Sequence, residues 1–162
     1  MIKYAAFFLM MFSLPVVAEK VTFDTKFSVE FPDGWKTPEN PRKDALVYQE
    51  SVKGDASFAV AKLALPENAS ADLKGTLKSM IEGFKKSMKV IGEPKLQDGG
   101  IGGKKAVFAS VIVEAEGSKM GFYLVAVDAK DRVFILQATL PAGASDQSRA
   151  DCMKIIQSFK EG

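Results

Sequence analysis

The sequence predicts an α+β fold in which an antiparallel β-sheet lies between helices, an α/β/α sandwich. Three observations carry that expectation. Two segments have apolar residues at helical spacing. Three long strand-like runs near the C-terminal half are joined by connectors too short for anything but hairpins. Two of those runs are apolar on both faces, as in a sheet covered on both sides. A chain of 162 residues with 47% apolar and 26% charged residues suffices for one domain with a real core.

The first 18 residues read as an export signal. Lys3 supplies the positive start, residues 4–14 a short apolar stretch, and Val16-Val17-Ala18 a small-residue cleavage site before Glu19. The apolar stretch is shorter than the roughly 20 residues a membrane span needs. The only cysteine, Cys152, lies at the opposite end, so no lipid acceptor stands at the cleavage point. The expectation is a soluble periplasmic protein, residues 19–162, without stable membrane insertion after cleavage. Basic and acidic residues are nearly balanced, which argues against nucleic-acid binding.

The mature chain opens with strict alternation. Val21, Phe23, Phe27, Val29 and Phe31 fall on one face of one or two strands, with a break near Thr25. Pro32-Asp33-Gly34 supplies turn chemistry, and Trp35 follows. Two further strands are expected at residues 46–50 and 57–65, linked by a hairpin turn at residues 52–55. Ser70 reads as the N-cap of a helix to about Met88, with Leu73, Leu77, Met80, Ile81, Phe84 and Met88 on one stripe. Asn68-Ala69-Ser70 also fits a glycosylation sequon, but the cap reading suits an exported bacterial-type protein better. Gly99-Gly100-Ile101-Gly102-Gly103 reads as a flexible connection or bulge. The strand runs 105–114, 121–127 and 133–140 follow, with turns at 117–119 and 128–131. A last helix from about Asp146 carries Cys152, Ile155, Ile156 and Phe159 on one side.

The run Phe27-Ser28-Val29-Glu30-Phe31-Pro32-Asp33-Gly34-Trp35, the middle helix, the glycine-containing approach to a long meander and the closing Ile155-Ile156-Gln157-Ser158-Phe159 resemble the PsbP-like family. That family includes an extrinsic photosystem II protein, a Ran-binding import factor and small bacterial envelope proteins. The resemblance spans about residues 27–160. It implies an antiparallel sheet between helices and a binding or accessory role, and it carries no catalytic residues across.

The chain has no histidine, which excludes Ser-His and Cys-His nucleophile pairs and His-ligated metals. The histidine-based metal binding suggested for some plant members of the family therefore does not transfer. The glycine-rich segment with Lys104 and Lys105 invites an anion cradle, but the P-loop pattern fails. Asp98 stands where its first Gly belongs, and Lys105 where Ser or Thr belongs. Asp128 and Asp131 read as a hairpin turn, since the glycine and distal Glu of a calcium loop are missing. Glu114 and Glu116 fall on one strand face and read as a hydrated strand end. Cys152 reads as a buried structural thiol and Trp35 as a plug at the sheet end; Tyr48 and Tyr123 leave a packing and a binding reading open.

A non-catalytic periplasmic binding or accessory protein, presenting loops to an envelope protein partner, is the expected function. No enzyme activity and no cofactor are expected. A carrier or enzyme with an apolar or anionic ligand in a pocket between helix and sheet is the alternative. The candidate interaction residues are Trp35, Arg42, Lys43, Gly100, Gly102, Lys104 and Lys105, in the segments 37–44 and 99–105. Nothing in the sequence sets an oligomeric state.

Overall fold

The fold is an antiparallel eight-stranded sheet with α1 on one face and, on the other, α2 beside a three-stranded sheet. It is seen in a computed structural model that describes residues 18–162. The expected export signal, up to residue 17, lies outside the described residues.

Alternation builds the opening hairpin, β1 (Glu19–Phe23) and β2 (Phe27–Phe31), with Val21 opposite Val29. Asp24 and Thr25 both take positive φ at the turn between them, near the expected break. This hairpin pairs with the C-terminal β11 (Lys160–Glu161) to make the small sheet. The large sheet begins with β3 (Trp35–Lys36), β4 (Val47–Ser51) and β5 (Ser57–Ala64). It continues after α1 (Leu73–Ser87) with β6 (Lys89–Ile91), β7 (Leu96–Ile101), β8 (Lys104–Ala115), β9 (Ser118–Asp128) and β10 (Arg132–Pro141); α2 (Asp146–Gln157) follows. Its order is β3-β4-β5-β10-β9-β8-β6, and β7 pairs with a different stretch of β8.

The sheet's two faces feed two cores, which is why residues 122–127 of β9 and 133–136 of β10 are apolar on both faces. Val133 and Ile135 of β10 pack with Leu77 and Ile81 beneath α1. Phe134, Leu136, Ala138 and Leu140 pack with Phe27, Val29, Phe31, Ile155 and Phe159 on the opposite side. Phe84 of α1 stacks on Phe122, ring centroids 4.8 Å apart. On the other face, the Phe134 ring lies 4.7 Å from Phe27 and 5.4 Å from Phe23 in edge-to-face contacts.

Several local expectations are corrected. Asp72, not Ser70, caps α1: its carboxylate accepts from the Gly75 N–H at 2.8 Å. Gly75 lets the carboxylate lie close over the backbone, where a Cβ would stand 2.0 Å from Asp72 Oδ2. The segment 99–103 is no flexible connection. Gly99 to Ile101 pair with β8, and Gly102 and Gly103, both at positive φ, form a two-residue hairpin turn. The next turn is Glu116-Gly117, also at positive φ, with Ser118 and Lys119 already in β9. Glu116 therefore does not share a strand face with Glu114, which faces Lys89 at 3.6 Å. Finally, α2 shares its face of the large sheet with the small sheet. The two-residue pairing of β11 with β2 joins chain ends that no local pattern links.

Candidate docking groove and sheet edge

Strand β8 runs past the end of the core, and its alternation creates the candidate site. Val107, Ala109, Val111 and Val113 are buried toward α1. The intervening positions Phe108, Ser110 and Ile112 face the α2 side, where cover thins; Ile112 is 42% exposed. On β9, Val125 lies opposite Phe108 and Tyr123 opposite Ser110. One wall comes from α2, where Ile156 is buried and Met153, one turn earlier, is 37% exposed.

Phe108, Tyr123, Val125, Met153 and Ile156 thus line a groove of about 460 Å³, with Glu93, Lys95, Gln97 and Ser110 as its polar members. The link between β6 and β7 brings Glu93 and Lys95 to the rim; Gly92, at φ +72°, turns the chain there. Gly99 lets the Phe108 ring lie against the backbone of β7, for a Cβ at that position would stand 2.8 Å from Phe108 Cε2. Lys95 and Ser110 line the same groove, but no hydrogen bond joins them among the described residues.

The groove opens beside a sheet edge. β7 pairs with β8 on one side, and no strand of the described residues pairs with its other side. Because Gly102-Gly103 is a two-residue turn, Ile101 and Lys104 form the hydrogen-bonded pair that closes it. Counting back in twos, Gly99 and Gln97 direct their backbone groups to β8. Gly100, Asp98 and Leu96 direct theirs outward.

The seven candidate interaction residues separate in space. Trp35 is 7% exposed and packs 5.8 Å from the Phe31 ring, as a plug does. Arg42 is exposed and forks onto Asp44, with Nε donating at 3.1 Å and Nη2 at 2.5 Å. Lys43 beside it is exposed. Both lie at the β3–β4 end of the sheet, whereas Gly100, Gly102, Lys104 and Lys105 lie at the β7–β8 end, so the two segments do not converge. Gly102 is held against the C-terminal segment: a Cβ there would be 2.5 Å from the Phe159 carbonyl oxygen. Lys104 donates to Glu161 at 2.5 Å and sits 5.6 Å above the Phe27 ring. Its ammonium, with Lys26, pulls the Glu161 carboxyl down to about 2. Lys105 is exposed on the α1 side of the edge, where Lys74 meets Asp98 at 2.6 Å.

Sequence reasoning named Tyr123 but missed Phe108, Met153 and Gln97. A signal was present. The α2-side positions of β8, Phe108, Ser110, Ile112 and Glu114, mix apolar with polar side chains. Val107, Ala109, Val111 and Val113 on the other face are uniformly apolar, a contrast that marks a partly covered face.

No family model and no curated protein matches this sequence. Solved structures do. The solution structure of cyanobacterial PsbP, CyanoP, from Synechocystis sp. PCC 6803 matches with a TM-score of 0.66 at 10% identity, over 91% of this chain and 94% of that one. The fold is PsbP-like. The Saccharomyces cerevisiae Ran-binding protein Mog1p gives a TM-score of 0.61 at 11% identity, covering 90% of this chain and 96% of its own. LpqN, involved in cell envelope biogenesis of Mycobacterium tuberculosis, gives 0.56 at 17% identity, covering 89% and 91%. The PsbP-like resemblance read from the sequence therefore holds for the fold. No helix among the described residues is long and apolar enough to cross a membrane.

Proposed function

We propose that this protein is a non-catalytic binding or accessory protein of the cell envelope, exported through residues 1–18 and docking on a protein partner in the periplasm. The observation that carries this reading is the open apolar groove beside the free edge of β7. An apolar surface with a polar rim, reachable from solvent, suits a macromolecular contact. Catalysis would call for a nucleophile held against a base in a dry site, and the groove's Ser110 is solvent-exposed. Proteins of this fold named as Ran-binding or as involved in envelope biogenesis support a partner-binding role. Arg42, Lys43 and Lys105 are the accessible cations of the two candidate segments; Trp35, Gly102 and Lys104 have packing tasks.

The groove's lining also favours a second reading, a carrier of a small apolar molecule. One experiment separates the two. The protein from an osmotic-shock fraction is sequenced from its N-terminus, and a photo-crosslinker replacing Met153 is activated in intact cells. The expected result is a chain starting at Glu19 and a discrete protein adduct, reduced by a Ser110→Glu substitution at an exposed position of the groove that leaves thermal unfolding nearly unchanged. Intact Met1 in the cytoplasm would refute export. An adduct of small-molecule mass would favour the carrier, and turnover in a hydrolase or transferase screen lost on mutating the groove would overturn the non-catalytic reading.

A further inference from the structure

Charge is unevenly placed on this nearly neutral chain. Residues 74–105, which form α1, β6, β7 and the start of β8, hold eight lysines and three acidic residues. The rest of the described chain holds thirteen basic and seventeen acidic residues. Four of those lysines are paired with carboxylates, Lys74 with Asp98, Lys85 with Glu82, Lys89 with Glu114 and Lys104 with Glu161. Lys78, Lys86, Lys95 and Lys105 have no carboxylate partner among the described residues. Lys95 and Lys105 are exposed at the two ends of the free edge of β7, and Lys78 and Lys86 on the adjoining helix.

Edge strands of natural proteins are usually short, bulged, covered, interrupted by proline or guarded by charged side chains; the one charge on β7, Asp98, is tied to Lys74 on the α1 side. β7 is six residues long, Leu96-Gln97-Asp98-Gly99-Gly100-Ile101, regularly paired with β8 and free of proline. Its two glycines carry no side chain to obstruct an incoming backbone, and Gln97 borders both the edge and the groove. We infer that β7 is a strand-acceptor edge for an extended acidic segment of the partner protein, which hydrogen-bonds to the outward backbone groups of Leu96, Asp98 and Gly100 and places an apolar side chain in the groove. Main-chain pairing supplies affinity in this mode, and a pocket for alternate side chains supplies specificity. The surrounding lysines steer an acidic segment and repel a basic one. A second copy of this chain is disfavoured, because two such edges would bring like charge together.

This inference rests on the binding function proposed above, and its test tells the two apart. A photo-crosslinker at Lys105 is activated in cells expressing the full chain, and the adduct is mapped to a partner peptide by mass spectrometry. Asp98→Pro removes one outward N–H at a position where an edge strand tolerates proline; Asp98→Asn keeps the N–H and removes the charge. Adduct yield is expected to fall roughly fivefold to tenfold in Asp98→Pro, as for loss of one hydrogen bond, and to persist in Asp98→Asn. Thermal unfolding of both variants is compared with that of the native chain. If Asp98→Pro unfolds early, hydrogen exchange on the native protein decides: the amides of Asp98 and Gly100 should slow on adding the mapped peptide. Capture in extracts should weaken as salt rises from about 0.1 M to about 1 M, which shortens the Debye length from about 10 Å to about 3 Å. Undiminished adduct in a folded Asp98→Pro, unslowed amides, a basic partner peptide, or an adduct of this chain with itself would each overturn strand acceptance while leaving partner binding intact. Absence of any protein adduct from both Lys105 and Met153 would remove the binding function as well.

Discussion

Gly102 shows how a single backbone position can be set by a distant part of the chain. It sits at φ +56°, and a side chain there would collide with the Phe159 carbonyl at 2.5 Å. Gly103 has φ +73° but open space around it. Gly103→Ala is expected to cost about 1 kcal/mol for the left-handed conformation. Gly102→Ala should cost clearly more in urea denaturation; equal losses would mean that the approach to Phe159 relaxes freely. Carboxylates are a second case at this scale. Asp55 is held below the usual carboxylate range, first by the Ser148 hydroxyl, which donates to it at 2.5 Å; burial opposes that shift. Glu161 is lowered to about 2 by Lys104 and Lys26. Glu161 stabilises the native state fully above about pH 4.5 and loses that stabilisation as pH falls toward 2; Asp55, lowered from its ordinary value, acts in the same direction. The denaturation midpoint should therefore drop across that interval, and Glu161→Gln should flatten part of the drop. Cys152 is fully buried and its thiol is pushed up to about 12, chiefly by desolvation, so alkylation at pH 8 should require unfolding. Its position on the apolar stripe of α2 made that burial legible beforehand.

Elements were legible where a period repeats and obscure where pairing is short and non-local. The stripe through Leu77, Ile81 and Phe84 announced α1, and the long strand-like runs with their short connectors announced β8, β9 and β10 within a few residues. β3, β6 and β11 have two or three residues each, too few for a period, and exist because a neighbour offers a ladder. β7 was hidden differently: Gly99 and Gly100 read as loop, yet Gly99 lets the Phe108 ring lie close against the paired strand. The candidate groove was obscure for the same reason, since it is assembled from β8, β9, α2 and the β6–β7 link. Non-local joins can be weighed experimentally. The Ser158 hydroxyl accepts from the Glu30 N–H at 2.7 Å and donates to the Ile155 carbonyl at 2.6 Å, stitching the end of α2 to β2. Ser158→Ala should cost about 1–3 kcal/mol, because it leaves a partly buried N–H without its acceptor. A loss below about 0.5 kcal/mol would mean that water replaces the hydroxyl.

At the scale of the whole molecule, two cores hold one sheet, and the ring cluster of Phe23, Phe27, Phe134 and Phe159 joins the small sheet to the large one. Phe134 is fully buried, so Phe134→Ala should cost about 3–5 kcal/mol by transfer and cavity together. That is a large part of a domain's stability of about 5–15 kcal/mol. This framework leaves a groove open where the end of β8, the edge of β7 and α2 meet. The protein is proposed to act by binding a partner there. The most direct test is a crosslinking map in intact cells, with a photo-reactive residue placed in turn at Gln97 and Met153 of the groove, at Lys43 near the opposite sheet edge, and at exposed Leu63 on β5. One partner adduct is expected, strong from Gln97 and Met153 and weak or absent from Lys43 and Leu63. Adducts concentrated at Lys43 or Leu63, with none from the groove, would contradict binding there.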